Sequence, residues 1–193
     1  MKSKPAPLLH PLLASRWSPT RFDVAAEVGS PEIESLLEAA RWAPSAGNSQ
    51  PWAFIVGRRG DEIHQRLASH LARSSAVWAP SASLLIANLC HRYVQDTDWE
   101  YSEFSLYDLG QAVAHMTLQA QSLGLSTRQF RAFDRDAVSR DFALPPHWQV
   151  ATMSALGSEA GGAPAGSTHP PAHRTRRTAQ HLLWPEAARE IPR

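Results

Sequence analysis

A chain of 193 residues with 43% hydrophobic side chains can bury a core of its own and reads as one domain. Nineteen basic against eighteen acidic residues leave a formal charge of +1, so there is no electrostatic case for nucleic acid as a partner. The lone cysteine, Cys90, excludes an internal disulfide and lies in an apolar run, where an inert buried thiol is expected.

Residues 1–14 read as an N-terminal arm, and Pro5–Ser15 as a short mixed segment, either a helical turn or an arm. Leu8–Leu13 is broken by His10 and Pro11 and makes no convincing signal peptide. Ser30-Pro31-Glu32 predicts a helix start: a capping hydroxyl, proline in the first turn, then an acid near the positive dipole end. Ile33, Leu36, Leu37 and Ala40 keep helical spacing until Pro44 ends it. Trp52–Val56 predicts a strand, Gly57–Gly60 a turn, and Asp61–Arg73 an amphipathic helix with Ile63, Leu67 and Leu71 on one face. Ala82–Cys90 barely alternates and predicts a strand covered on both faces. Its apolar stretch, Leu84–Leu89, is far too short to span a bilayer, so a cytoplasmic protein with no membrane partner is expected.

Asp96-Thr-Asp-Trp-Glu100 has alternating acids but lacks the glycine and distant glutamate of a calcium loop. Ser105–Leu123 predicts the longest helix, with Leu106, Leu109, Val113, Met116, Ala120 and Leu123 as its apolar stripe and Gly124 as its stop. His115 lies beside that stripe and reads as a satisfied core histidine. Ser126–Phe130 predicts a short extended piece, Asp134–Phe142 a short helix, and Trp148–Leu156 a strand. In that strand Val150, Thr152 and Ser154 oppose Ala151, Met153 and Ala155, and the inward set is not evident. Residues 158–172 form a Gly/Ala/Ser/Pro-rich linker, and 173–193 a tail carrying a basic cluster and the apolar Leu182-Leu-Trp184. The order of elements predicts an α+β layer with helices around one sheet. No His, Cys or acid cluster has metal-ligand spacing.

Arg41-Trp-Ala-Pro-Ser-Ala-Gly-Asn-Ser-Gln-Pro-Trp52 is the most informative stretch. It sets small hydroxyl and amide groups between two prolines, a setting that suits a flat heterocycle rich in donors and acceptors. Two further segments accompany it: Arg16-Trp-Ser-Pro-Thr-Arg-Phe-Asp23, and Tyr107-Asp-Leu-Gly-Gln-Ala112 running on to Leu123-Gly-Leu125 and Phe133-Asp134. In this order and spacing the set resembles the nitroreductase family of FMN-dependent NAD(P)H oxidoreductases, over residues 15–157.

The resemblance implies a central, mostly antiparallel sheet wrapped by helices, and an intertwined homodimer with two flavin sites built from both chains. The tail at 173–193 would complete the flavin site or the dimer interface. It implies Arg16, Arg174 and Arg176 at the flavin phosphate, Ser18 at the phosphate or ribityl region, Thr20 at a position near flavin N1 and O2, and Trp17 among the cofactor-binding residues. Pro44, Ser45, Ala46 and Asn48 would lie along the isoalloxazine ring, with Gln50 supporting that loop. Ser75 would fall at the pyrimidine edge, and the backbone of Arg131 and Ala132 near flavin N5. No protein acid, base or nucleophile is obligatory, because the cofactor carries the chemistry. Trp99 and Trp17 are candidates for an apolar roof.

The implied activity is transfer of hydride from NADH or NADPH through FMN to quinones, nitroaromatics or similar flat acceptors. Alternatives are a flavin-binding protein with little turnover, or a flavin dehydrogenase of a dedicated metabolite using oxygen. Three positions depart from the family pattern: Thr20 stands where a cation is usual, Ser75 where asparagine is frequent, and Ala132 where glycine is frequent.

Overall fold

The fold, obtained as a computed structural model, describes residues 8–161 and 175–184. Arg174, nearly all of the expected linker and the end of the tail lie outside the described residues. The elements run α1 (Pro11–Ser15), α2 (Ser30–Arg41), β1 (Trp52–Arg58), α3 (Glu62–Ser69), α4 (Arg73–Ala76) and β2 (Leu84–His91). They continue with α5 (Ser105–Ser122), β3 (Ser126–Phe130), α6 (Arg135–Asp141) and β4 (Trp148–Gly157). The strands form one sheet in the order β1-β2-β4-β3, every neighbouring pair antiparallel. This is the α+β architecture expected from the sequence.

The sheet has a core on each face. Leu84, Ile86 and Leu156 meet Leu36 and Ala40 of α2 and Ala112, Met116 and Ala120 of α5. Leu85, Ala87, Leu89, Val150, Met153 and Ala155 meet Leu67 of α3 and Val138 of α6 on the other face. Double coverage explains why every residue from Leu84 to Cys90 is buried and why that run does not alternate.

Ser30 is not the cap of α2. Gly29 holds that position, and the Ser30 hydroxyl accepts from Arg58 Nη2 at 2.7 Å. β1 runs through Gly57, which the sequence placed in a turn. A Cβ on Gly57 would lie 2.4 Å from the backbone nitrogen of His64, so glycine lets α3 cross close over the strand. The helix expected over Asp61–Arg73 ends at Ser69 as α3, and the separate short α4 begins only at Arg73. Asp61 caps α3 by accepting the His64 N–H at 2.7 Å, and the chain then breaks so that Leu71 bridges Phe133. The buried face of α3 is His64 and Leu67, while Ile63 is exposed.

On α5, Leu106 and Leu123 are exposed, so the buried stripe is narrower than the one read from the sequence. It takes in Ser105 and Asp108 beside Leu109, Ala112, Val113 and Met116. His115 is half-buried and lines a shallow apolar groove with Leu12, Trp42 and Leu118, so it is not a core histidine. On β4 the register slips at Ala151, because Asn88 pairs with Thr152 but Leu89 with Val150. That bulge reverses the parity of the strand and puts Val150 on the same face as Met153 and Ala155, which is why simple alternation could not name the inward set. The described residues contain no helix long and apolar enough to cross a membrane.

Candidate functional site

The residues expected around a flavin fall into two groups, one at each edge of the sheet. The first is a corner against β3. After α1 the chain leaves as an extended segment tied to the end of β4. Asp23 N–H donates to Ser158 O at 2.8 Å, Phe22 bridges Glu159, and Trp17 Nε1 donates to Glu159 Oε2 at 2.9 Å. Two arginines converge on Ser18: Arg16 Nη1 reaches its Oγ at 3.3 Å, and Arg128 Nη1 donates to its carbonyl at 3.0 Å. Ser18 and Thr20 are exposed.

Ala132 completes this corner. Its carbonyl accepts from Ala72 N–H at 3.0 Å and from the Ser75 hydroxyl. That hydroxyl also lies 3.0 Å from Ala72 O, and Ser75 is 1% exposed. Ser75 therefore holds the Ala132 turn through backbone carbonyls instead of presenting its side chain to a ligand. Serine is short enough to do this where an asparagine would project. Ala132 lies outside the left-handed region, as expected for a residue with a Cβ, and its N–H donates to no described residue. Arg131 is steadied by its own neighbourhood: Nη1 donates to Phe133 O at 3.3 Å and the guanidinium lies 5.1 Å from the Phe133 ring centre. Burial, then the charge of Arg135, pulls its pKa down.

The second group is the turn before β1. Gly47, Asn48 and Gln50 all sit in the left-handed region, at φ 57°, 56° and 47°. Two of these are not glycine, so the turn holds strain that its surroundings must offset. Ser45 is its hub: its carbonyl accepts Asn48 N–H at 3.0 Å and its hydroxyl accepts Gln50 N–H at 3.0 Å. Gln50 Nε2 donates to Asn48 O at 3.2 Å, so Gln50 supports the loop as expected. Pro44, Ala46 and Asn48 present exposed surface.

The anchor of this turn was missed in the sequence. Asp108, 2% exposed in the first turn of α5, accepts Ala46 N–H at 3.0 Å. The signal was available, because Asp108 is an acid inside an apolar helical stripe, four residues before Ala112 and three after Ser105. Cys90 is buried as expected, its thiol pushed up to about 11 by burial.

A third feature adjoins the turn. His91 N–H donates to Pro51 O at 2.9 Å, while its ring stacks between Tyr101 at 4.0 Å and Trp148 at 5.1 Å. Arg92 pairs with Glu100 beside it. These contacts pin the segment Arg92–Phe104 across the ends of β2 and β4. Burial, then the charge of His147, lowers the His91 pKa. Trp99, a candidate roof residue, is 77% exposed.

One chain does not bring the two edge groups together. β1 and β3 are three strand spacings apart, about 14 Å across the sheet. Arg176 donates to its neighbour Thr175 at 2.8 Å and lies in an exposed tail, so within one chain it is not seen beside Arg16. Leu182 and Trp184 are 69% and 74% exposed.

Residues 13–82 match the family model described as the nitroreductase family. The chain is 33% identical over 78 residues to the oxygen-insensitive NADPH nitroreductase of Helicobacter pylori, and the match spans 40% of this chain and 37% of that relative. It is 26% identical over 137 residues to an Archaeoglobus fulgidus protein, across 68% of this chain and 74% of the relative. Among solved structures, a Clostridium difficile nitroreductase family protein superposes with TM-score 0.72 at 23% identity, covering 91% of this chain and 96% of that one. A Desulfovibrio desulfuricans protein solved in complex with FMN superposes with TM-score 0.69 at 26% identity, again covering 91% and 96%. Over residues 13–82 the chain is thus similar to the nitroreductase family, and its fold is that of solved proteins of this kind.

Proposed function

We propose that this protein is an FMN-dependent oxidoreductase that takes electrons from NADH or NADPH and passes them to a flat small-molecule acceptor, at sites shared by two copies of the chain. The names of its relatives, an NADPH nitroreductase and a protein in complex with FMN, support the class of chemistry. The observation that carries the shared site is the separation of the two edge groups, since a rigid turn and a basic corner about 14 Å apart in one chain need a second copy to face each other.

The residues fit a flavin. Arg16 supplies a guanidinium beside an exposed hydroxyl, a donor set suited to a phosphate. The Ala132 N–H has no acceptor among the described residues, on a turn fixed by Ser75 and Ala72. Pro44, Ala46 and Asn48 offer a stiff surface for a planar ring. When bound, the flavin supplies the hydride chemistry between reduced nicotinamide and acceptor. The chain's work is then placement: Asp108 fixes the turn, Ser75 fixes the Ala132 peptide, and the pinned segment Arg92–Phe104 keeps water from one side of the site. Arg174 and Arg176 would reach the partner's corner, with Leu182, Leu183 and Trp184 covered by the same crossing. The nitroaromatic or quinone identity of the acceptor rests on the family alone.

Thr20 favours a second reading, a flavin binder with slow turnover, because a hydroxyl replaces the cation usual at that position. Purified protein is expected to carry yellow FMN that bleaches under anaerobic NADH or NADPH. Retained colour with both donors would favour the slow binder, and Thr20→Arg should then raise the rate. Colourless protein that ignores added FMN would defeat both readings.

A further inference from the structure

We infer that Arg128 is an anion-recognising residue of the Ser18 corner, acting with Arg16 on the negative charge of the bound flavin. The inference rests on the proposed flavin site and goes beyond it, since sequence reading gave Arg128 no role.

On β3, residues 126, 128 and 130 share one face, and Thr127 and Gln129 the other. Gln129 points toward α5, donating to Thr117 Oγ1 at 3.2 Å. Arg128 therefore points toward Trp78 along with Phe130. Its guanidinium lies 5.1 Å from the Trp78 ring centre, and Phe130 meets the same indole at 5.0 Å. Phe22 stacks on that indole at 6.5 Å, so Arg128 rests on an aromatic platform that cannot easily turn. Its Nη1 donates to Ser18 O. A guanidinium has five N–H groups, and this contact uses one of them.

Two further facts separate this from an ordinary surface arginine. Of the other described arginines that lie over aromatic rings, Arg41, Arg66 and Arg92 form ion pairs with Glu38, Asp141 and Glu100, and Arg131 forms none. Arg128 forms none with any described carboxylate. It also shares Ser18 with Arg16, whose Nη1 reaches the hydroxyl of the same residue. Stacking orients the planar fork and leaves its outer N–H groups for the ligand.

The anion has two sources in a flavin nucleotide: the phosphate, and the negative charge of the reduced ring. Thr20, two residues from Ser18, supplies no cation for either. The test is Arg128→Gln, with Arg128→Lys as a second variant that keeps charge but loses the fork. Dissociation constants for FMN and riboflavin are measured by fluorescence quenching, alongside midpoint potentials and the melting temperature of flavin-free protein.

Arg128→Gln is expected to weaken FMN binding about tenfold or more, the size of a charge-assisted hydrogen bond. If the phosphate is the target, riboflavin binding stays unchanged. If the reduced ring is the target, FMN and riboflavin weaken together and the midpoint potential falls. Arg128→Lys should fall between wild type and glutamine. A lowered melting temperature with unchanged FMN affinity and potential would reduce Arg128 to a packing residue and overturn the inference. If wild type binds FMN and both variants bind it equally well, only this inference fails. If wild type binds no FMN, the flavin reading itself fails.

Discussion

The turn at the β1 edge and the corner at the β3 edge solve the same problem in opposite ways. The turn holds an unfavourable backbone, with Asn48 and Gln50 in the left-handed region, and a buried carboxylate on another element pins it. The corner has ordinary backbone and is held by side chains, with Ser75 on the Ala132 carbonyl and Arg128 on the Ser18 carbonyl. A turn that is to lie along a rigid ring gains from stored strain, because it cannot relax when the ligand leaves. A corner that is to meet charge gains from long side chains whose heads stay available. The first should fail abruptly when its anchor goes, and the second by degrees.

The largest effect should come from the anchor. Asp108→Ala leaves Ala46 N–H without its acceptor beside a buried space, at a cost of about 2 to 3 kcal/mol. FMN affinity should fall by about a hundredfold as the turn relaxes. Asp108→Asn keeps an acceptor oxygen and should lose much less. Chemical denaturation and flavin titration of both variants check this, and equal losses would show that charge, not the hydrogen bond, is what the site needs.

At the corner, Ser75→Ala removes one of two donors to Ala132 O while Ala72 N–H remains. The expected loss is about 1 kcal/mol of stability, with a slower reductive half-reaction and nearly unchanged FMN affinity in stopped-flow and binding assays. Smaller still, Gln50→Gly relieves a left-handed non-glycine residue, and its own entropy cost makes the net change in stability about 0.5 kcal/mol in either direction. Its effect should appear instead as weaker flavin binding, since the Nε2 bond to Asn48 is lost.

The smallest effect is on pH. His91 has a lowered folded-state pKa, so the unfolded chain binds its proton first as pH falls. The stability it contributes is present above its ordinary value of 6.5 and is lost as pH drops through and below that value. Loss of the Tyr101 and Trp148 stack on acidification should loosen Arg92–Phe104 before the sheet melts. Tryptophan fluorescence against pH should show this early step, and His91→Phe should abolish it.

Most of the fold was legible because hydrophobic periodicity carries it. The unbroken run Leu84–Cys90 announced a doubly covered strand, and the α5 stripe announced the longest helix. What escaped depends on one strand meeting another. Only pairing with β2 reveals the bulge at Ala151, and only the bridge between Leu71 and Phe133 explains why the expected helix over Asp61–Arg73 breaks. The turn and the Arg16–Thr20 segment were legible as an ordered set of residues. Asp108 was quoted within that set without a role, because its partner Ala46 is 62 positions away. Arg128 carried no local signal, since its importance lies wholly in touching Ser18 and Trp78.

The central claim, that each flavin site joins the turn of one copy to the corner of another, is tested by mixing two defective chains. Asp108→Ala breaks the turn and Arg16→Ala breaks the corner. Each variant alone should bind little FMN at a concentration that saturates wild type. Co-expressed with different tags and purified as the mixed pair, they should regain about half the wild-type flavin content, because one of two sites then has both parts intact. A mixed pair no better than either variant alone would place both groups of a site within a single chain and contradict the account.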